Sequence, residues 1–318
     1  MPAALRLWLC LVLALPVATV ATGAVVQRGA SSRALWVWDS GPLLKDAAAR
    51  QRFLEFCRER AIDIAWLQVA LRLPGETRLE HEDGWRHLLR DAHRAGVSIH
   101  ALDGDPRNVL RERHHVVMRM VDTIIRFNRD APAGQRFDGI HLDNEPYLMA
   151  GWDLPVVREQ LLEEYLELNA QVQRVVTAEG GLEYGVDIPF WWQYPDRHTG
   201  GAIGDVNFAG VRKAASYHVL DMVDNVGIMD YRNVAAGIDG IIAHARDLID
   251  YGNRTRAKVF VGVETSRVGE VELPKITFDG RSNDEMEHEL GVAHEAFSGD
   301  RSYAGFAIHH YVPYRARF

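Results

Sequence analysis

The sequence predicts an α/β protein built as a single (β/α)8 barrel (TIM barrel), and three observations lead to this prediction. Eight short β-rich runs alternate with segments of helical periodicity along the whole chain. The roughly 290 residues after an apolar N-terminal stretch suit such a barrel, which typically takes ~250. No linker, low-complexity tract or shift in composition divides the chain. A doubly wound open sheet is disfavoured, because no Gly-rich phosphate loop follows the first run.

The individual elements follow from residue type and apolar periodicity. Strands are predicted over 34–39, 62–69, 97–103, 137–143, 182–189, 223–231, 258–264 and 303–310. Helices are predicted over about 45–60, 84–95, 108–129, 155–178, 207–221, 234–251 and 283–297. Only eight residues follow His310, so we expect a regular eighth helix to be missing or replaced, with residues 25–33 as a candidate to cover the gap.

Residues 1–24 have the pattern of a secretory signal peptide. A positive start with Arg6 precedes an apolar run over 7–17, and small residues near Ala21 and Ala24 offer a cleavage site. The run is short for a bilayer span and is interrupted by Pro16. We therefore expect a secreted or periplasmic protein with one barrel domain over 25–318 and no membrane attachment after cleavage.

Composition limits the classes of partner. The chain is 47% hydrophobic and 25% charged, which is typical of a globular protein. Its net charge of −8 argues against a general nucleic-acid binder, which needs a basic face. Cys57 is the only cysteine outside the leader, so no internal disulfide is expected. We expect a monomer with a carbohydrate substrate and without cofactor or metal.

The most informative segment is 138–147, on the predicted fourth strand. Side chains alternate between the two faces of a strand, so His141, Asp143 and Glu145 share one face while apolar residues occupy the other. Burying carboxylates without partners is costly, and this favours a functional role. Pro146 then ends the strand, because it cannot donate to a ladder.

Acidic, aromatic and imidazole side chains collect at the predicted C-terminal strand ends, where barrel active sites lie. Paired carboxylates and aromatic faces are typical of glycosidic bond cleavage. The charge of Asp143 is expected to raise the pKa of Glu145, which suits a proton donor. The predicted catalytic residues are Glu145, Asp143, Glu264 and Tyr231. The predicted substrate-binding residues are Trp36, Trp38, Asp39, His141, Asn144, Asp187, Trp191, Trp192, Asp230 and His309.

Two motifs resemble those of the family 18 glycoside hydrolases (chitinase-like). Residues 138–145, Asp-Gly-Ile-His-Leu-Asp-Asn-Glu, resemble the strand-four DGxDxDxE signature, and Met-Asp-Tyr at 229–231 resembles the strand-six MxY element. The resemblance implies that Glu145 is the acid, that Asp143 assists it, and that Tyr231 supports a substrate acetamido group acting as nucleophile. The sequence departs from the pattern at His141, where the family has its first core Asp.

A second resemblance concerns the retaining (β/α)8 glycosidases. Asn144-Glu145-Pro146 on strand four, together with Glu264 on strand seven, is similar to the acid/base and nucleophile pair of that clan. This resemblance implies that Glu264 attacks the sugar carbon directly. Both resemblances agree on Glu145 as the acid.

Other interpretations stay open at this point. A metal-dependent hydrolase would draw its ligands from His100, Asp103, His141, Asp143, Glu264 and His309. A non-catalytic carbohydrate-binding barrel is a third possibility. The acids also have structural alternatives, in which Asp143 and Glu145 pair with Arg72 or Arg232, Asp230 pairs with Arg232, and Glu264 pairs with an arginine.

Overall fold

The structure is a computed structural model that describes residues 32–72, 77–267 and 274–318. Eight parallel strands close into a barrel, which confirms the predicted fold class. The strands are β1 Ser32–Val37, β2 Ile62–Gln68, β3 Ser98–Asp103, β4 Gly139–Leu142, β5 Glu183–Pro189, β6 Asn225–Met229, β7 Lys258–Glu264 and β8 Tyr303–His309. The predicted signal peptide, 1–24, and residues 25–31 lie outside the described residues.

Helices surround the barrel. They are α1 Gly41–Lys45, α2 Ala47–Glu59, α3 Glu82–Ala95, α4 His114–Asp130, α5 Pro155–Glu179, α6 Ala215–Met222, α7 Ile241–Gly252, α8 Asn283–Phe297 and α9 Tyr311–Ala316. Short 3-10 turns occur at Pro106–Val109, Arg111–Arg113, Ala133–Gln135, Pro146–Leu148 and Pro274–Ile276. Two hairpins lie outside the barrel sheet, Leu71–Arg72 with Arg78–Leu79 and Asp205–Phe208 with Val211–Ala214. In the described part of the chain, no helix is both long and apolar enough to cross a bilayer.

Three predicted helices begin later than the periodicity indicates. The helix predicted over about 108–129 starts at His114, after two short 3-10 turns. The helix predicted over 207–221 starts at Ala215, because 205–214 form a hairpin whose turn places Ala209 and Gly210 at positive φ. The helix predicted over 234–251 starts at Ile241. The eighth helix, α9, is present but only six residues long, in keeping with the expected irregular end of the barrel.

The barrel has two hydrophobic layers. The larger lies between the strands and the helices. The smaller fills the barrel itself and is built from Ala34, Trp36, Trp66, Leu102, Phe260 and Ala307. The rings of Trp36 and Trp66 meet edge to face with centroids 4.6 Å apart. This wide aromatic floor closes the barrel below its C-terminal mouth, so the mouth is a cup rather than a channel.

Gly227 on β6 makes room for this floor. A Cβ atom at this position would clash with the Asp187 carboxylate and would lie 3.2 and 3.3 Å from the Trp66 and Trp36 rings. A side chain here would therefore displace both the indoles and the buried acid beside them.

We expect Gly227→Ala to lower the free energy of unfolding by about 1–3 kcal/mol, as overpacked cores do. Urea denaturation measures this change. The matched control is Gly291→Ala in α8, where a Cβ meets open space and alanine should stabilise the helix by about 0.5–1 kcal/mol. Equal effects of the two substitutions would contradict this account of the barrel interior.

Candidate active site

The acids of the fourth strand reach the mouth of the barrel. The amide of Asp143 donates to the Asp103 carbonyl at 2.9 Å, continuing the β3–β4 ladder just past the end of β4. Gly104 permits this close approach, because a Cβ there would lie 3.1 Å from the Cβ of Asp143. Asp143 and Glu145 are both partly buried. Oδ1 of Asp143 is buried without a hydrogen-bond partner among the described residues.

Asp187 on β5 is held by one hydrogen bond on each carboxylate oxygen. The indole Nε1 of Trp36 donates to Oδ2 at 2.8 Å, and Nε2 of His141 lies 2.9 Å from Oδ1. The His141 ring in turn stacks on Trp66, with centroids 3.8 Å apart. All four side chains are almost fully buried. Sequence reasoning assigned Trp36, His141 and Asp187 to the substrate, whereas the structure joins them to one another.

Burial raises the pKa of Glu145 to about 7, and the negative charge of Asp187 adds to this rise. His309 opposes it only when its ring is protonated. Burial also raises the pKa of Asp143 well above the usual aspartate value, with further contributions from Asp187 and Glu145. Sequence reasoning expected Asp143 to raise the pKa of Glu145; the principal charged neighbour is instead Asp187, on the adjacent strand.

Glu264 accepts four hydrogen bonds. Its Oε1 accepts from the amides of Thr265 and Ser266 and from the Ser266 hydroxyl at 2.7–2.8 Å. Its Oε2 lies 2.7 Å from Nδ1 of His309. Burial alone would raise the pKa of Glu264, but the hydrogen bonds from His309 and Ser266 hold it below the usual value. In place of the arginine of the structural alternative, Glu264 has a histidine and a backbone turn as partners.

The tautomer of His309 follows from its two neighbours. The indole Nε1 of Trp38, which is only a donor, lies 2.9 Å from Nε2 of His309. Nε2 must therefore accept, so the proton is on Nδ1 and is donated to Glu264. His309 is thus a neutral ring joining β1 to β7.

Tyr231 lies beside this group. Its ring is tilted against His309 with centroids 5.7 Å apart. Burial raises the pKa of the Tyr231 phenol well above the usual value, and Glu264, Asp143, Asp187 and Glu145 add to the shift. Tyr231 therefore faces the carboxylates of the mouth as a neutral phenol.

Four residues predicted to bind substrate lie elsewhere. Trp192 is fully buried in the core against Tyr165, so it has no surface for a ligand. Asp230 is also fully buried, and neither of its oxygens has a hydrogen-bond partner within the described ranges. Asn144 is buried and accepts from the Asp105 amide, and Asp39 is exposed and accepts from the Gly41 amide.

Asp230 also has different electrical surroundings from the mouth acids. Burial raises the pKa of its carboxyl well above the usual aspartate value, and the charges that act on it are those of Arg232 and Asp239. The Arg232 guanidinium itself pairs with Asp239 at 2.8 Å rather than with Asp230. Burial therefore favours the protonated form of Asp230, and its charged neighbours differ from those of Asp143 and Glu145.

An aromatic cluster lies beside the mouth. Trp191, which sequence reasoning assigned to the substrate, packs edge to face against Tyr147 and Trp152 with centroids 5.4 and 6.2 Å apart. All three rings are partly exposed. Tyr147 and Trp152 were missed, although Tyr147 follows Glu145 by only two residues and its loop position was a usable signal.

The six residues considered as metal ligands are not gathered into one site. Among the residues that the structure describes, no group of three or more His, Cys, Asp or Glu side chains is arranged to hold a metal ion. His100 lies buried below the mouth, where burial lowers its pKa to about 3 and keeps the ring neutral.

With its geometry established, the barrel can be compared with known proteins. No protein-family model and no curated protein matches the chain in sequence. Among solved structures, the barrel is similar to a family 18 (GH18) chitinase from Cycas revoluta in complex with (GlcNAc)3. The TM-score is 0.56 and the identity 11%, over 87% of this chain and 94% of that chain. A GH18 chitinase from Pseudoalteromonas aurantia gives a TM-score of 0.54 and 12% identity, over 87% and 93%.

The spore cortex-lytic enzyme SleL of Bacillus megaterium gives a TM-score of only 0.46 at 12% identity, and this chain spans about half of its length (54%). At such identities the likenesses concern the fold alone. The protein therefore has a (β/α)8 barrel with the fold of the family 18 chitinases.

The hydrogen bonds of Glu264 generate a prediction about stability. A carboxyl group whose pKa is lowered on folding contributes stability that is present above its unfolded pKa, ~4.3 for glutamate, and is lost as the pH falls through the lowered value. We expect Glu264→Gln to cost about 2 kcal/mol near neutral pH, and this difference from the parent protein should shrink in acid.

Urea denaturation at neutral and acidic pH measures the difference. The matched control is Glu295→Gln on the exposed side of α8, which should change little at either pH. If the loss of stability in Glu264→Gln did not depend on pH, the hydrogen-bond donors would not be stabilising the carboxylate form of Glu264.

Proposed function

We propose that this protein is a glycoside hydrolase in which Glu145 protonates the leaving glycosidic oxygen. The observation that carries the proposal is the position of Glu145 at the barrel mouth with a pKa near 7. A group with this pKa is still partly protonated at neutral pH, which is what a general acid requires. The chitinase-like fold and the partly exposed aromatic rings beside the mouth support the same reaction class.

Attack by a substrate acetamido group fits the site better than attack by Glu264. Both oxygens of Glu264 are engaged, Oε1 by the 265–266 turn and Oε2 by His309, so its position is fixed. Oδ1 of Asp143, by contrast, lacks a partner within the described part of the chain and is free to accept an amide N–H. Tyr231 faces the same carboxylates. These observations support the roles implied by the family 18 resemblance.

The proposed substrate is a glycan with N-acetylated amino sugars. The Cycas revoluta chitinase has been solved in complex with (GlcNAc)3 and with allosamidin, and an acetamido nucleophile requires such a sugar. We further propose that the protein acts as an exported monomer, on the strength of the predicted leader at residues 1–24.

We expect Glu145→Gln to reduce the release of reducing sugar from N-acetylated oligosaccharides at least ~100-fold, because general acid catalysis contributes factors of this order. The measurement uses a panel of glycans with and without acetamido groups. Glu295→Gln serves as the matched surface control and should retain full activity. Unchanged turnover in Glu145→Gln would refute the assignment of the acid.

The pKa of Glu145 also predicts the pH profile. The protonated form is the active one, so kcat/KM should be highest below about pH 7 and should fall about tenfold per pH unit above it. Initial rates across the pH range on one oligosaccharide measure this limb. A profile that remains flat from pH 6 to about pH 9 would be incompatible with Glu145 as the acid.

A further inference from the structure

We propose that Asp187 is a positioning residue of this site, whose buried negative charge, fixed by Trp36 and His141, keeps the proton on Glu145. The inference rests on the proposed function, because it concerns the same acid. The inference gives Asp187, on the fifth strand, a role that no residue of the fourth-strand motif was assigned.

Burial and two hydrogen bonds hold the Asp187 carboxylate in place. Its side chain is 2% exposed, and its two oxygens take one hydrogen bond each, from Trp36 at 2.8 Å and with His141 at 2.9 Å. The absence of a side chain at Gly227 creates the space that it occupies. The carboxylate is thus kept from water and cannot swing into the mouth.

Asp187 lies beside the acids of the mouth. In the parallel pairing of β4 with β5, His141 lies opposite Gly185, so the continued register brings Asp143 opposite Asp187. β4 ends at Leu142, and Glu145 follows Asp143 by two residues in the segment that leaves the strand. Like charges in a poorly solvated site repel strongly, and the repulsion is relieved when one of them binds a proton. The pKa values of both Glu145 and Asp143 are raised by Asp187.

The partners of Asp187 are an indole and an imidazole, neither of them an arginine or a lysine. The Trp36 indole is a neutral donor. Nδ1 of His141 is buried without a partner among the described residues, which favours a proton on Nε2, the nitrogen that faces Asp187. Asp239 shows the contrast, because Arg232 and Lys275 pair with it directly.

Several titratable groups surround Asp187 and Glu145, and their titrations must be followed together with that of Glu145. They are Asp143 and His141 on the fourth strand, Tyr165 on α5, Tyr231 after β6, Glu264 on β7 and His309 on β8. The two tyrosines are neutral in the working range because burial raises the pKa of each phenol. Asp143 and Glu145 interact, so their titrations are read as a coupled pair.

The test replaces Asp187 by asparagine in the full chain. The amide oxygen of an asparagine can accept from Trp36, so the substitution removes the charge and keeps the hydrogen bond to the indole. Carboxyl ¹³C NMR should show the titration of Glu145 moving to lower pH by about one unit. The alkaline limb of kcat/KM should move by the same amount.

The matched control is Asp230→Asn, the same substitution at a buried acid that does not act on Glu145. It should leave the Glu145 titration unchanged.

Trp36→Phe removes one donor from the Asp187 carboxylate. It should move the Glu145 titration in the same direction as Asp187→Asn but less far. This variant replaces Asp187→Asn in the test if Asp187→Asn does not fold.

An unchanged Glu145 titration in Asp187→Asn, or an equal shift in Asp230→Asn, would overturn the inference. The outcome is separable from the proposed function. If no glycan is hydrolysed by the parent protein, the proposed reaction fails while the NMR titration still decides the role of Asp187. If glycans are hydrolysed and the titration does not move, only the role of Asp187 fails.

Discussion

A buried carboxylate held by an indole and an imidazole is the constraint on which the rest of the site depends. Asp187 accepts a hydrogen bond from the Trp36 indole and contacts the His141 imidazole. These contacts lie where the aromatic floor ends and the mouth begins. The floor needs the empty space at Gly227, and the acids of the mouth respond to the charge that the floor supports. The packing inside the barrel and the proton affinity of the acids at its mouth therefore depend on each other.

Much of the fold was predictable because its signals are local. Strand runs such as 258–264 and helix periods such as 283–297 appear with almost the same bounds in the structure. The alternation predicted for His141, Asp143 and Glu145 extends past the strand itself, because β4 ends at Leu142. The hairpin at 205–214 was missed because its turn, at Ala209 and Gly210, interrupts a segment whose apolar spacing resembles a helix.

The site was predictable only as a set of residue types at strand ends. Sequence patterns cannot show whether a side chain past a strand end turns inward, and this is why Asp230 and Trp192 were assigned to the substrate although both are buried elsewhere. Nor can they show partners from distant strands. Trp36 and Asp187 are 151 residues apart, and His309 joins Trp38 to Glu264 across β8.

The pKa values of two carboxyl groups at the mouth differ because their surroundings differ. Glu264 is saturated with donors and its pKa is lowered, whereas burial and Asp187 raise that of Glu145. One fold thus keeps one acid charged and another partly protonated at neutral pH, as division of labour between catalytic carboxyl groups requires.

The most direct test of this account is the titration of Glu145 in the unmodified protein by carboxyl ¹³C NMR, with its signal assigned by its absence in Glu145→Gln. The account predicts a midpoint near pH 7. A midpoint near ~4.3, the value of an unperturbed glutamate, would contradict it, because such a group would have lost its proton before the pH at which it is proposed to act.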